Sequence, residues 1–118
     1  MQTYEEFQEE TKHFYGTENY FRVNRFSPVV VTDGVKHVLE SKQCYWFADI
    51  IMSYQDKLKD QGLQVWGIVV NEDNSATVTC EDGNYNILIT QEIPFTDLAT
   101  QKMVFWCSDG VIYLPSEH

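Results

Sequence analysis

The sequence predicts an α+β fold: about three helices packed on one face of a four- to five-stranded antiparallel meander. Three observations carry that prediction. Apolar residues recur at helical spacing through much of residues 1–62, then at a period of two through residues 63–118. Short turn clusters separate the alternating stretches, and connections this short make sequential strands antiparallel neighbours. Finally, 118 residues with 43% hydrophobic content, including 7 Phe, 7 Tyr and 3 Trp, suit a single domain over 1–118 with a genuine core.

The elements follow in order. Thr3 and Glu6 fit a capping box, hydroxyl and carboxylate each taking one orphan amide of a helix start. Tyr4, Phe7, Thr11 and Phe14 then recur at helical spacing, and Gly16 ends the segment. Residues 20–31 are rich in β-formers but contain Pro28, so they read as an edge strand or an extended connector, with their place in the sheet open. Thr32 caps a short helix over 33–41 that buries Val35, Val38 and Leu39. A longer helix is expected over 45–61, with Phe47, Ile50, Ile51, Tyr54 and Leu58 as its stripe and Gly62 just past its end. Five strands are expected at 63–70, 76–80, 85–93, 102–107 and 111–114. Asp109-Gly110 between two of them is a hairpin signal, because such a turn needs positive φ.

Charge excludes some functions. The chain holds 18 Asp+Glu against 8 Lys+Arg, a net charge of −10, which opposes a broad grip on phosphate backbones or anionic lipid. Residues 62–118 carry one base, Lys102, among eight acids. In a meander Glu72, Asp73, Glu92 and Asp97 fall near one end of the sheet, and Glu81, Asp82 and Asp109 near the other. That division does not make the continuous stripe a nucleic-acid mimic needs. No basic, apolar leader opens the sequence, and no apolar run approaches the ~18 residues of a membrane span. Cys44, Cys80 and Cys107 are odd in number and widely spaced, which suits reduced thiols in the cytoplasm, with Cys80 and Cys107 as small buried hydrophobes.

Motifs with a chemical mechanism are missing: no phosphate loop, dinucleotide fingerprint, hydrolase elbow or zincin helix occurs. No cofactor or metal is expected. Asp82-Gly83-Asn84-Tyr85-Asn86 opens like a calcium loop, but Ile87 stands where the turn glycine belongs, so a hairpin turn is the better reading. His37 and Cys44 form a nucleophile pair only if the fold joins them. Asp49 interrupts the most apolar stretch of the chain, either on the outer face of its helix or in a pocket walled by Trp46 and Trp66.

Several short stretches come in a characteristic order: Phe14-Tyr15-Gly16-Thr17-Glu18-Asn19-Tyr20, Thr32-Asp33-Gly34-Val35-Lys36, Tyr45-Trp46 with Asp49, and Gln64-Val65-Trp66. Thr79-Cys80-Glu81-Asp82-Gly83-Asn84, Thr90-Gln91-Glu92-Ile93, Thr96-Asp97 and Leu114-Pro115-Ser116-Glu117 follow. Together they resemble a small bacterial family, also seen in mobile elements, catalogued only as a domain of unknown function. The resemblance implies one domain of this length and brings no activity, cofactor or catalytic residue.

The sequence therefore points to an acidic cytoplasmic accessory protein that binds a basic protein partner, an inhibitor of a nucleic-acid-handling enzyme being one version. Gln64, Trp66, Gln91, Glu92 and Asp97 are its expected contacts, on the open face of the sheet and its acidic end. The rival is a cone-like small-molecule or enzymatic domain with a pocket around Trp46, Asp49 and Trp66. A homodimer through a sheet edge or aromatic face is a third architecture, and monomer or dimer is left open.

Overall fold

A computed structural model describes residues 1–118. It contains helices α1 (Tyr4–Thr11), α2 (Asp33–Ser41) and α3 (Tyr45–Ser53), and strands β1 (Tyr20–Phe21), β2 (Val30–Thr32), β3 (Gln64–Val70), β4 (Ala76–Glu81), β5 (Ile87–Ile93), β6 (Lys102–Ser108) and β7 (Val111–Tyr113). A 3-10 turn, Pro115–Glu117, follows.

The expected α+β class holds, but the sheet is larger and differently ordered. All seven strands join one mixed sheet in the order β1-β2-β7-β6-β3-β4-β5. Only β3, β4 and β5 form a meander. The chain then crosses from β5 to pair β6 against the far side of β3, and β2 pairs with β7 in parallel. Residues 20–31 thus supply two strands, with Pro28 in the loop between them, where its missing donor interrupts no ladder. Short-range signals specify turns. They cannot specify which distant strands pair.

Both expected caps form. Thr3 Oγ1 accepts from Glu6 N at 3.1 Å while Glu6 Oε1 accepts from Thr3 N at 3.0 Å. Thr32 Oγ1 accepts from Val35 N at 3.3 Å. Helix α2 ends in a Schellman arrangement, with Cys44 N donating to the Leu39 carbonyl at 3.0 Å and Gln43 at φ 52° where glycine is usual.

Helix α3 stops at Ser53 rather than Gln61. Tyr54 N bonds back to Ile51 and Gln55 N to Met52, three residues each, and the Gln55 side-chain amide takes the Ile51 carbonyl at 2.8 Å. The tightened end turns Gln55 inward, and the following turns bury Leu58.

The period of two assigns each strand residue to a face. Ile89, Cys80, Trp66 and Phe105 align across four strands on the covered face, as do Gln91, Val78, Ile68 and Met103. Helix α3 lies over this face, Phe47 meeting Phe105 at 5.2 Å between ring centroids. Helix α2 covers the β2–β7 side with Val35, Val38 and Leu39. A cluster of 25 buried apolar residues draws on both halves of the chain. Helix α1 departs from the one-face expectation by lying along β6 beside short β7, with Phe7 in the core and Tyr4 against Lys102. The opposite face carries Glu92, Thr77, Val69 and Lys102 in one row and Thr90, Thr79, Gly67 and Val104 in the next.

Candidate binding surface

The five expected contacts do not share a surface. Gln64 is 4% exposed and lies on the covered face. Its amide pairs reciprocally with that of Gln55, at 2.8 and 3.0 Å, and its Oε1 also accepts from Trp66 Nε1 at 2.9 Å. Trp66 is fully buried, with Tyr54 at 5.8 Å between centroids. Gln91 faces the same way and accepts from the Tyr54 hydroxyl at 2.8 Å. Gln64 and Trp66 are buried and Gln91 is half-buried, all three on the helix-covered face, so their expected place on the open face is corrected. Polarity alone suggested that face, yet an amide such as that of Gln64, whose nitrogen and oxygen both find partners, is equally compatible with the covered side of a strand. Gln91 and Glu92, being adjacent, cannot point the same way.

Glu92 does stand on the open face, exposed and accepting from Thr77 Oγ1 at 3.1 Å. Asp97 is exposed in the crossover between β5 and β6. Thr96 N donates to the Asn74 carbonyl at 2.8 Å, which ties that crossover to the β3–β4 turn bearing Glu72 and Asp73. Four acids therefore gather at one end of the sheet, and none of the four forms a salt bridge. Lys102 shares this end but its ammonium sits over the Tyr4 ring, 4.8 Å from the centroid. The Ser75 hydroxyl, then its amide, holds the Asp73 carboxyl below the usual range, so it is a fixed anion.

Asp49 faces solvent and accepts from Asn24 Nδ2 at 3.3 Å. With Trp66 sealed in the core, Trp46, Asp49 and Trp66 do not line one pocket. Trp46 instead borders a hollow of about 300 Å³ with Ile93, Phe95, Thr96 and Asp97. This groove was missed because Trp46 and Phe95 are 49 positions apart, and only the crossover beside α3 brings them together. Its one signal in the sequence was an aromatic, Phe95, inside the turn cluster that also holds Asp97.

The remaining reactive groups are quiet. Burial pushes the thiols of Cys44, Cys80 and Cys107 up to about 12. Asp82 spends its carboxylate inside its own turn, held low by the Asn86 side chain first and then by the Asn84 amide. His37 lies 3.4 Å from Glu10, not beside Cys44, whose thiol instead donates to the Val38 carbonyl at 3.8 Å. No three His, Cys, Asp or Glu side chains cluster as metal ligands would, and no helix is long and apolar enough to cross a membrane.

These features define a small α+β protein with a half-covered mixed sheet, one acidic sheet end and an apolar hollow beside it. Residues 5–118 match the model of a family of unknown function, DUF6876, and the chain belongs to that family. No curated protein and no solved structure matches it.

Proposed function

We propose that this protein is a cytoplasmic binding or regulatory accessory protein that docks a basic protein partner through the acidic end of its sheet. One observation carries the reading: Glu72, Asp73, Glu92 and Asp97 meet at one end, unpaired by any base. Uncompensated charge of one sign steers encounter with the opposite sign and rejects like-charged surfaces. Glu92 and Asp97 are the contacts retained from the sequence. Gln64, Trp66 and Gln91 tie the covered side of the sheet to Tyr54 and Gln55 just past α3. An inhibitor of a nucleic-acid-handling enzyme fits as one version, since a surface built for phosphate is basic.

The test is recovery of the tagged protein from its native cell at low and high salt, comparing the natural chain with a Glu92→Lys/Asp97→Lys variant. A basic partner should be retained at low salt and released at high salt, with slower association and a flatter salt dependence for the variant. The same partner held equally by both proteins refutes the proposal.

A further inference from the structure

We infer that the outer edge of β5 is a strand-addition site for an extended basic segment. This rests on the basic-partner reading and specifies how the partner is held.

The sheet has two borders. One is β1, only two residues long, and the other is β5, seven residues of Ile-Leu-Ile-Thr-Gln-Glu-Ile. An edge strand leaves every second residue's N–H and C=O pointing outward without a partner, a template for another strand. Short length, lysine and proline are common protections. The strand β5 is long and holds neither lysine nor proline, Pro94 coming one residue too late; its one charge is Glu92, and its one irregularity, opposite Cys80 and Glu81, lies at the end away from the hollow.

Its flanks are apolar and open. Tyr85 is 88% exposed, Ile87 56% and Phe95 69%. The hollow of about 300 Å³ between Trp46 and Phe95 lies beside Ile93, the last residue of the strand. Strand addition uses such a pairing: main-chain hydrogen bonds supply affinity, and pockets for alternate side chains supply specificity. Side chains of an added strand on the helix-covered side continue the row of Ile89, Gln91 and Ile93. One of them meets the Trp46–Phe95 hollow.

Charge selects the occupant. Glu92 lies in the strand and Asp97 in the hollow, both without an ion pair. Lys102 aligns with Glu92 across β6, β3, β4 and β5, three strand spacings or ~14 Å away, beyond the ~8 Å screening length of physiological salt. Lys42 lines the next hollow together with Asp97, but its ammonium is held by Glu10 at 3.2 Å and forms no ion pair with Asp97. A second copy is the poorer occupant. It brings its own −10, and antiparallel pairing of two β5 strands sets the Glu92 end of each against the Glu81–Asp82 end of the other. An extended segment alternating apolar and basic residues satisfies edge, hollow and charge together.

The test uses short synthetic peptides of alternating Val and Lys, a copy N-methylated along one edge, and an alternating Val/Glu peptide. Binding is followed by hydrogen exchange at β5 amides and by titration at low and high salt. The Val/Lys peptide should bind and slow exchange along β5. N-methylation should cost tenfold or more in affinity, Phe95→Ala several-fold, and the Val/Glu peptide should not bind. If the N-methylated peptide binds equally and Glu92→Lys/Asp97→Lys weakens both, strand addition is overturned while the acidic-end reading survives. If Val/Glu binds as well as Val/Lys, the charge argument fails and the basic-partner reading falls with it. Dimerisation across a dilution series with β5 amides protected overturns the choice of occupant.

Discussion

Replacing Glu117 by alanine should destabilise the protein by about 2 kcal/mol, although the side chain lies next to the last residue of the sequence. Its carboxylate accepts from Thr32 Oγ1 at 2.6 Å, Leu114 N at 2.8 Å and Gly34 N at 3.2 Å. Two of those donors belong to the first turn of α2 and its cap, so a negative charge there also interacts favourably with the positive end of the helix dipole. Bonds to a charged acceptor are worth about 1.5–3 kcal/mol, and partial exposure returns some of that to water. For a chain of this size the loss lowers the melting midpoint by roughly 6–10 °C. Thermal and urea unfolding followed by circular dichroism measure it. Gly34→Ala reaches the same cluster from the other side, since its Cβ would stand 2.6 Å from Leu114 Cδ1 and 3.0 Å from Glu117 Oε1. The two changes should be less than additive, because both undo one contact. A Glu117→Ala unfolding free energy within about 0.5 kcal/mol of the natural chain's would refute the reasoning and reduce this carboxylate to surface decoration.

Two further outcomes follow from the core. Gln64→Ala strands the Trp66 indole N–H inside the protein and removes one partner from each end of the Gln55 amide, and it should cost about 2–3 kcal/mol in urea unfolding, where a residue on an open face would cost under about 0.5. The buried thiols predict alkaline weakening: their folded pKa values, about 12, lie above the unfolded ones, so the stability they carry is whole below about pH 8.5 and is lost as pH climbs toward 12. The slope approaches ~1.4 kcal/mol per pH unit for each thiol, and Cys44→Ala should show a shallower fall between about pH 8 and about pH 10. An identical fall in the variant contradicts it.

What was legible in the sequence was local. Thr3 and Thr32 announce their helices because a cap acts within three residues, and Asp109-Gly110 announces its hairpin because both residues adopt positive φ, 52° and 74°. The hidden information was long-range. Nothing near Val30–Thr32 says that it pairs in parallel with Val111–Tyr113. Nor could the face of β3 be read from its residues, since Trp66, Ile68 and Val70 on one side and Val65 and Val69 on the other are all apolar. Gln64 shares parity with the larger set, and that was the available clue to its burial. The acidic end was legible because Glu72, Asp73 and Glu92 belong to the one true meander, β3–β4–β5. The groove at Trp46 was not, because it exists only after the crossover.

The parallel pair of β2 and β7 also governs when the protein can become itself. Val31 finds its partner Ile112 only after 80 intervening residues have been made, and Thr32 waits still longer for Glu117. During synthesis β2 and the cap of α2 therefore emerge before β7 and Glu117, leaving Val29, Val31 and Val35 uncovered until residues 111–117 arrive. Contacts this distant slow folding through the entropy of closing long loops. Residues 111–117 act as a latch, and a free chain cut shortly before residue 111 would keep its β3–β4–β5 meander beside an unsealed flank.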